Sequence, residues 1–324
     1  MRPITNRTTP PTTPLVHFGL FFAISLNPHK KRSSWAKVIT YGSVAYSHER
    51  GFLDMATDFK AIANQLRIDI IESLAAAGSG HPGGSLSCAD ILTVLYFDKM
   101  NINPENPNDP DRDRLVLSKG HAAPALYAAL AERGYFPRED LITLRKYGSH
   151  LQGHPNMADT PGVDMSTGSL GQGLSVANGM ALAGRLDHKD YYVYVIMGDG
   201  EIQEGQIWEA AMSASHYGLD HVIGFVDHNG LQIDGTNDEV MTVNPIGDKF
   251  AAFGWNVLSI DGHDYEAISA AVDEAKKNVG KPTVIVCETI KGKGVSFMEN
   301  AVNWHGAAPN AEQAAVALAE LRGE

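Results

Sequence analysis

Cysteine is almost absent. Cys88 and Cys287 are the only two among 324 residues. Two distant thiols in apolar surroundings give no disulfide framework and point to a reducing, cytoplasmic setting. Excess positive charge is also lacking: the net charge of -12 argues against nucleic acid as a partner. The apolar stretch over residues 15–26 is too short to span a bilayer, so no membrane association is expected. No internal repeat appears, and no linker divides residues 55–324. Acidic residues are missing altogether before Glu49. Basic residues, Thr and Pro dominate there. Residues 1–54 are therefore read as a disordered or misassigned extension ahead of a start at Met55, although an acid-poor leader would also suit a signal or transit peptide. One domain is expected over 55–324.

What is present is a regular alternation of strand and helix signals. Residues 191–196 form a β-branched and aromatic run that reads as a buried parallel strand. Residues 206–217 read as a helix with Ile207, Trp208, Ala211 and Ala214 on one face, and 221–226 as a second buried strand. Before this unit, Asp58 can cap a helix ending at Gly78. A helix is expected over 87–99, with Ser87 and Asp90 at capping-box spacing. A short strand over 115–117 and helices over 122–132, 138–146 and 173–185 follow. After the central unit come strands over 255–260 and 282–287, helices over 265–278 and 311–321, and a loop around Lys291 and Lys293, both read as solvated surface lysines. The outcome should be an α/β fold, a mainly parallel sheet with helices on both faces.

The central βαβ unit carries the chemistry. Gly198-Asp199-Gly200 follows the first strand, and Asn229 follows the second about thirty residues later. In adjacent parallel strands, about 4.8 Å apart, both side chains can reach one cation. A carboxylate oxygen with an amide oxygen suits Mg2+ or Ca2+. A metal with so few protein ligands needs other oxygens, and a diphosphate supplies them. The bare backbone at Gly198 and Gly200 allows a large anion to approach. A solvated Asp in a tight turn is the plainer reading of Gly-Asp-Gly alone; the flanking strands and Asn229 weigh against it.

Four histidines, His81, His121, His154 and His305, sit beside Gly in loops, with Pro next to them or close by. Such positions are placed to touch a ligand. None is paired at i,i+4 and no Cys accompanies them, which argues against zinc. His188, His216, His221 and His263 lack this setting and read as surface or packing residues.

These segments, taken together and in order, resemble the amino-terminal half of a transketolase. They are Ser79-Gly80-His81-Pro82-Gly83, Lys119-Gly120-His121-Ala122, Gly153-His154-Pro155, Thr167-Gly168-Ser169-Leu170-Gly171, Gly198-Asp199-Gly200, Asn229 with Leu231, and His305-Gly306. The Gly-Asp-Gly and Asn229 pair also resembles the thiamine diphosphate signature. Two departures are His228, where that signature usually has Asn, and Ser169, where the family usually has Pro.

The resemblance implies thiamine diphosphate and Mg2+ as cofactors. Asp199, Asn229 and the main-chain oxygen of Leu231 would hold the metal. Gly200 and His121 would contact the diphosphate. Gly168, Ser169 and Leu170 would line the cofactor, with Asn229 and His305 also touching it. His81, His154 and His305 would face substrate, and Glu204 would share protons across a dimer interface. The implied activity moves a two-carbon ketol unit from a ketose phosphate to an aldose phosphate through a thiamine diphosphate carbanion, as in pentose phosphate carbohydrate metabolism. Transketolases are roughly twice this length, and their second half carries the glutamate that activates the cofactor. The expectation is therefore the N-terminal subunit of a split enzyme, active only with a C-terminal partner subunit, in an α2β2 heterotetramer. Other readings are a deoxyxylulose-phosphate synthase, a non-catalytic cofactor-binding partner, a phosphohydrolase with Asp199 as nucleophile and Glu201 or Glu204 assisting, and a 2-oxoacid dehydrogenase E1 subunit.

Overall fold

The computed structural model describes residues 57–324; the expected extension lies outside the described residues. Five parallel strands form the central sheet: β1 (Arg114–Leu117), β2 (Val193–Gly198), β3 (Val222–His228), β6 (Asn256–Asp261) and β7 (Thr283–Glu288). Their order is β1-β2-β3-β7-β6, with β2 and β3 in register from Val193 opposite Val222 to Gly198 opposite Asp227. A two-stranded hairpin, β4 (Leu231–Gln232) and β5 (Gly235–Thr236), stands apart from this sheet.

Side chains in a strand alternate between faces, so each strand here feeds two cores. Leu117, Tyr194, Ile196, Ile223, Phe225 and Ile285 join one core. Helices α1 (Phe59–Ala77), α3 (Ala89–Val94), α4 (Ala123–Arg133), α9 (Tyr265–Lys277) and α10 (Ala311–Arg322) cover it. Val116, Val193, Val195, Met197, Val222, Val226 and Val284 join the other. Helices α5 (Gly173–Leu186), α6 (Gly205–His216) and α8 (Ile246–Ala252) cover that side. The remaining helices, α2 (Pro82–Ser87) and α7 (Asn237–Val240), are short and lie beside the site. Helices on both faces of a parallel sheet are the architecture the alternating pattern predicts. Cys88 and Cys287 are both buried and free, and no described helix is long and apolar enough to cross a membrane.

Three local expectations need correction. The second helical segment begins at Pro82, not at 87, and breaks at Cys88 before α3 and a π-helical turn over Leu95–Lys99. Pro82 sits where a missing N–H costs nothing. Ser87 is no cap: its hydroxyl donates to Asp227 at 2.5 Å. The helix expected over 138–146 is a 3-10 turn over Arg138–Thr143. The hairpin, α7 and α8 were not expected at all. Two-residue strands and a seven-residue helix are too short to show a period, although Thr236 and Glu239 do form a reciprocal capping box.

Candidate active site

The carboxyl ends of β1, β2, β3 and β7 open onto one cluster of polar groups. Asp199 leaves β2 and is 2% exposed. Its oxygens accept from the Gly200 N–H at 2.8 Å and the Gly230 N–H at 2.6 Å. No described cation pairs with it. Burial, and then the neighbouring Asp227, push its pKa up, so the carboxylate lies in a setting that disfavours its own charge. Asp227, one strand over, has a counter-charge. It pairs with Lys119 and accepts from Ser87 and, at 2.5 Å, from Thr289. A buried anion with only backbone donors fits a divalent cation, as does its hard oxygen chemistry.

Asn229 follows β3. Its Nδ2 donates to Asp227 at 3.3 Å and its Oδ1 accepts from the Leu231 N–H at 3.2 Å. The Asn237 N–H donates to the Gly230 carbonyl at 2.9 Å, closing the hairpin loop that presents Leu231.

The four loop histidines converge. The His81 ring lies 5.3 Å from His121, 5.6 Å from His305 and 6.3 Å from His154; His121 and His305 are 5.3 Å apart. Among the described residues, no three or more His, Cys, Asp or Glu side chains are grouped to hold a metal. Burial, followed by nearby Arg145, lowers His81 to about 4. Burial, followed by Lys291, lowers His305 to about 3. His121 and His154 are lowered too, again first by burial. All four rings are therefore neutral at physiological pH, each able to donate through one nitrogen and accept through the other. His81 Nδ1 and Thr167 Oγ1 are buried without a partner, which leaves bonding capacity for a bound group. Gly168, at φ +145°, lets the backbone pass within van der Waals reach of His154.

Other expected residues fall around this cluster. Gly120 abuts the backbone of Thr167 and Gly168. Ser169 and Leu170 are exposed, as is Glu204 at the start of α6. His263, read as surface or packing, is only 13% exposed and bonds Asp90 and the Ile290 N–H.

The surface assignment of Lys291 is wrong. It is 1% exposed, with its ammonium 3.0 Å from the Leu231 carbonyl and 2.8 Å from His305 Nδ1. Burial lowers its pKa to about 8. Because an ammonium only donates, His305 accepts at Nδ1 and carries its proton on Nε2. Lys119 was also missed as a site residue, and Glu201 was named only as an assisting acid in the phosphohydrolase reading. Lys119 is 1% exposed and donates to Gly84 O at 2.6 Å besides pairing with Asp227. Glu201 accepts from Ser118, from Gly171 N at 2.9 Å and from Gly198 N at 3.0 Å. Both its oxygens are thus committed to joining β1, β2 and the glycine loop. A lysine in a Gly-rich turn that ends a strand, as Lys119 is, was the one available signal.

Comparison with known proteins follows the same lines. Residues 59–322 match the family described as "Transketolase, thiamine diphosphate binding domain". The chain belongs to the transketolase family. It is 52% identical over 267 residues to "6-deoxy-6-sulfo-D-fructose transketolase subunit SqwG" from Clostridium sp. (strain MSTE9), covering 82% of this chain and 97% of that one. It is 45% identical over 252 residues to an apulose-4-phosphate transketolase subunit from Phocaeicola vulgatus, covering 78% and 89%. Among solved structures, transketolase from Campylobacter jejuni superposes with a TM-score of 0.77 at 37% identity, covering 82% of this chain and 42% of that one. This transketolase chain thus spans nearly all of two subunit-sized relatives and under half of that solved chain.

Proposed function

We propose that this chain is the N-terminal, cofactor-binding subunit of a two-chain transketolase and that it holds Mg2+ and the diphosphate of thiamine diphosphate. The observation that carries the reading is Lys291, whose ammonium touches both Leu231 O and His305. It joins the Asp199–Asn229 end of the site to the histidine cluster, so anion binding and proton handling share one pocket. Asp199, Asn229 and the Leu231 carbonyl are the metal's protein ligands; a carbonyl has two lone pairs, so Leu231 can serve Lys291 and the metal together. His121 and the backbone of Gly200 face the diphosphate. Gly168, Ser169 and Leu170 line the rest of the cofactor. When bound, thiamine diphosphate supplies an acidic carbon that adds to a ketose carbonyl. The chain's own task is to move protons on and off sugar oxygens. His81 and His154, kept neutral by burial, donate to a developing alkoxide and accept from a hydroxyl without changing the site's net charge first, while His305, its Nδ1 taken by Lys291, donates through Nε2. Glu204, exposed at the head of α6, is available to a neighbouring subunit.

The partner chain supplies the glutamate that activates the cofactor, in an α2β2 assembly with the cofactor at the seams; the setting is cytoplasmic. The subunit status of the two relatives supports the partner. Their names carry a sulfo-sugar and apulose 4-phosphate, which supports a ketose with an anionic tail as donor, in either central pentose phosphate or specialised sugar metabolism. The commitment of Glu201 to structural bonds speaks against a phosphohydrolase.

The test is ketol transfer with Mg2+ and thiamine diphosphate, using phosphorylated and sulfonated ketoses, with and without a C-terminal transketolase polypeptide. Transfer should require both chains. Transfer at full rate by this chain alone contradicts the proposal.

A further inference from the structure

The most elaborate polar cluster outside the site lies behind the Lys291 loop, and the reaction does not use it. Asp90, on α3, is 2% exposed. Its carboxylate takes a bidentate pair from Arg67 on α1, at 3.0 and 2.6 Å. It also accepts from His263 Nδ1 at 2.7 Å and from the Tyr265 hydroxyl at 3.0 Å. Two of these partners reach onward to one loop. His263 Nε2 accepts from the Ile290 N–H at 2.8 Å, and Arg67 Nε donates to the Lys293 carbonyl at 3.1 Å. Tyr265 makes no such bond to the loop.

We infer that Arg67, Asp90 and His263 form a positioning network that clamps the loop on both sides of Lys291 and so sets the metal–diphosphate end of the site. The clamp is specific in its protonation. Since Nε2 of His263 accepts, Nδ1 holds the proton and donates to Asp90. Gly292 completes the turn at φ +79°, where an added Cβ would lie 2.2 Å from the Met298 carbonyl oxygen. Held this way, Lys291 turns inward to Leu231 O and His305 instead of out to water. A buried ion pair is weak support for stability in itself and is better explained by the one conformation it enforces. The inference rests on the cofactor reading for its consequence, though not for the clamp.

The test uses the full-length chain and two measurements: hydrogen exchange of the peptide covering residues 289–294, and Mg2+-dependent binding of thiamine diphosphate by titration. His263→Phe keeps the ring and removes both bonds. It should speed exchange at residue 290 by about tenfold or more and weaken binding about 10–100-fold, as loss of an outer-shell support does. Tyr265→Phe takes a bond from the same carboxylate but none from the loop, and should leave both readings within about twofold of wild type. His263→Gln, whose amide can accept from Ile290 and donate to Asp90, should restore part of the loss. Arg67→Lys keeps a cation on Asp90 but drops the bond to Lys293, and should loosen the same peptide; it decides the matter if His263→Phe does not fold. Unchanged loop exchange in these variants overturns the clamp. Equal loss of affinity in both Phe variants overturns the positioning role in favour of general stability. Should wild type bind no thiamine diphosphate, the cofactor reading fails, while exchange still decides the clamp.

Discussion

At the residue scale, two buried lysines hold the site together, and the sequence gives little notice of either. Lys119 sits at 1% exposure against a fully buried Asp227. Burial, the largest single influence, works against its charge, but Asp227, Cys88 and Asp199 together more than offset it and raise its pKa. Lys119→Met leaves that carboxylate without its counter-charge and should lower stability by about 3–5 kcal/mol at neutral pH, read by denaturant unfolding. A loss under about 1 kcal/mol would mean the pair is dispensable. The histidines were legible because glycine and proline mark loops; Lys119 and Lys291 also lie beside glycine, but lysine is ordinarily a solvated loop residue, and Lys291 was misread for that reason. Their pH response follows from burial. His81 and His305 are held at about 4 and about 3, against about 6.5 for free imidazole. Between those values the unfolded chain binds more protons than the folded one. Stability therefore rises with pH up to about 6.5 and then levels off for these groups. The double variant His81→Asn, His305→Asn should lose less melting temperature than wild type on going from pH 7 to pH 5. Parallel losses would contradict the placement of these rings.

At the element scale, the strand tips were legible because β2 and β3 begin as continuous apolar runs and end in polar residues, Asp199 just after β2 and Asp227 and His228 closing β3. That the two strands run parallel followed from the single helix between them; that they are neighbours was a condition of the reading, and the sheet order meets it. What was not legible is the short scaffolding: the hairpin that presents Leu231, and the early start of α2 at Pro82. Such pieces are too brief to show a period and are fixed by tertiary bonds, such as Asn237 N–H to Gly230 O at 2.9 Å. Close backbone contact does the same for the glycine loop. A Cβ at Gly120 would lie 2.8 Å from Gly168 N and 2.9 Å from Thr167 C, and backbone yields less readily than a side-chain end. Gly120→Ala should cost about 1–3 kcal/mol by overpacking and displace the Thr167–Gly168 turn. A crystal structure of the variant with that turn unmoved would show the contact to be unimportant.

At the scale of the whole molecule, a sheet with four parallel strand ends converging on one polar cluster is an asymmetric object: its function is gathered at one edge. The alternating pattern foretold that layout, as ligands in parallel sheets bind beyond the carboxyl ends. It could not foretell how an acidic chain of net charge -12 would retain the diphosphate we propose it binds. The means we propose are local: the buried carboxylate of Asp199, which no described cation pairs with, for a metal, and two buried ammonium groups nearby. The most direct test is calorimetric titration of the full chain with thiamine diphosphate in Mg2+, for wild type and Asp199→Ala. Binding should depend on Mg2+ in wild type and weaken by at least about tenfold in the variant. Equal affinity in the two proteins, or binding indifferent to Mg2+, would contradict the account.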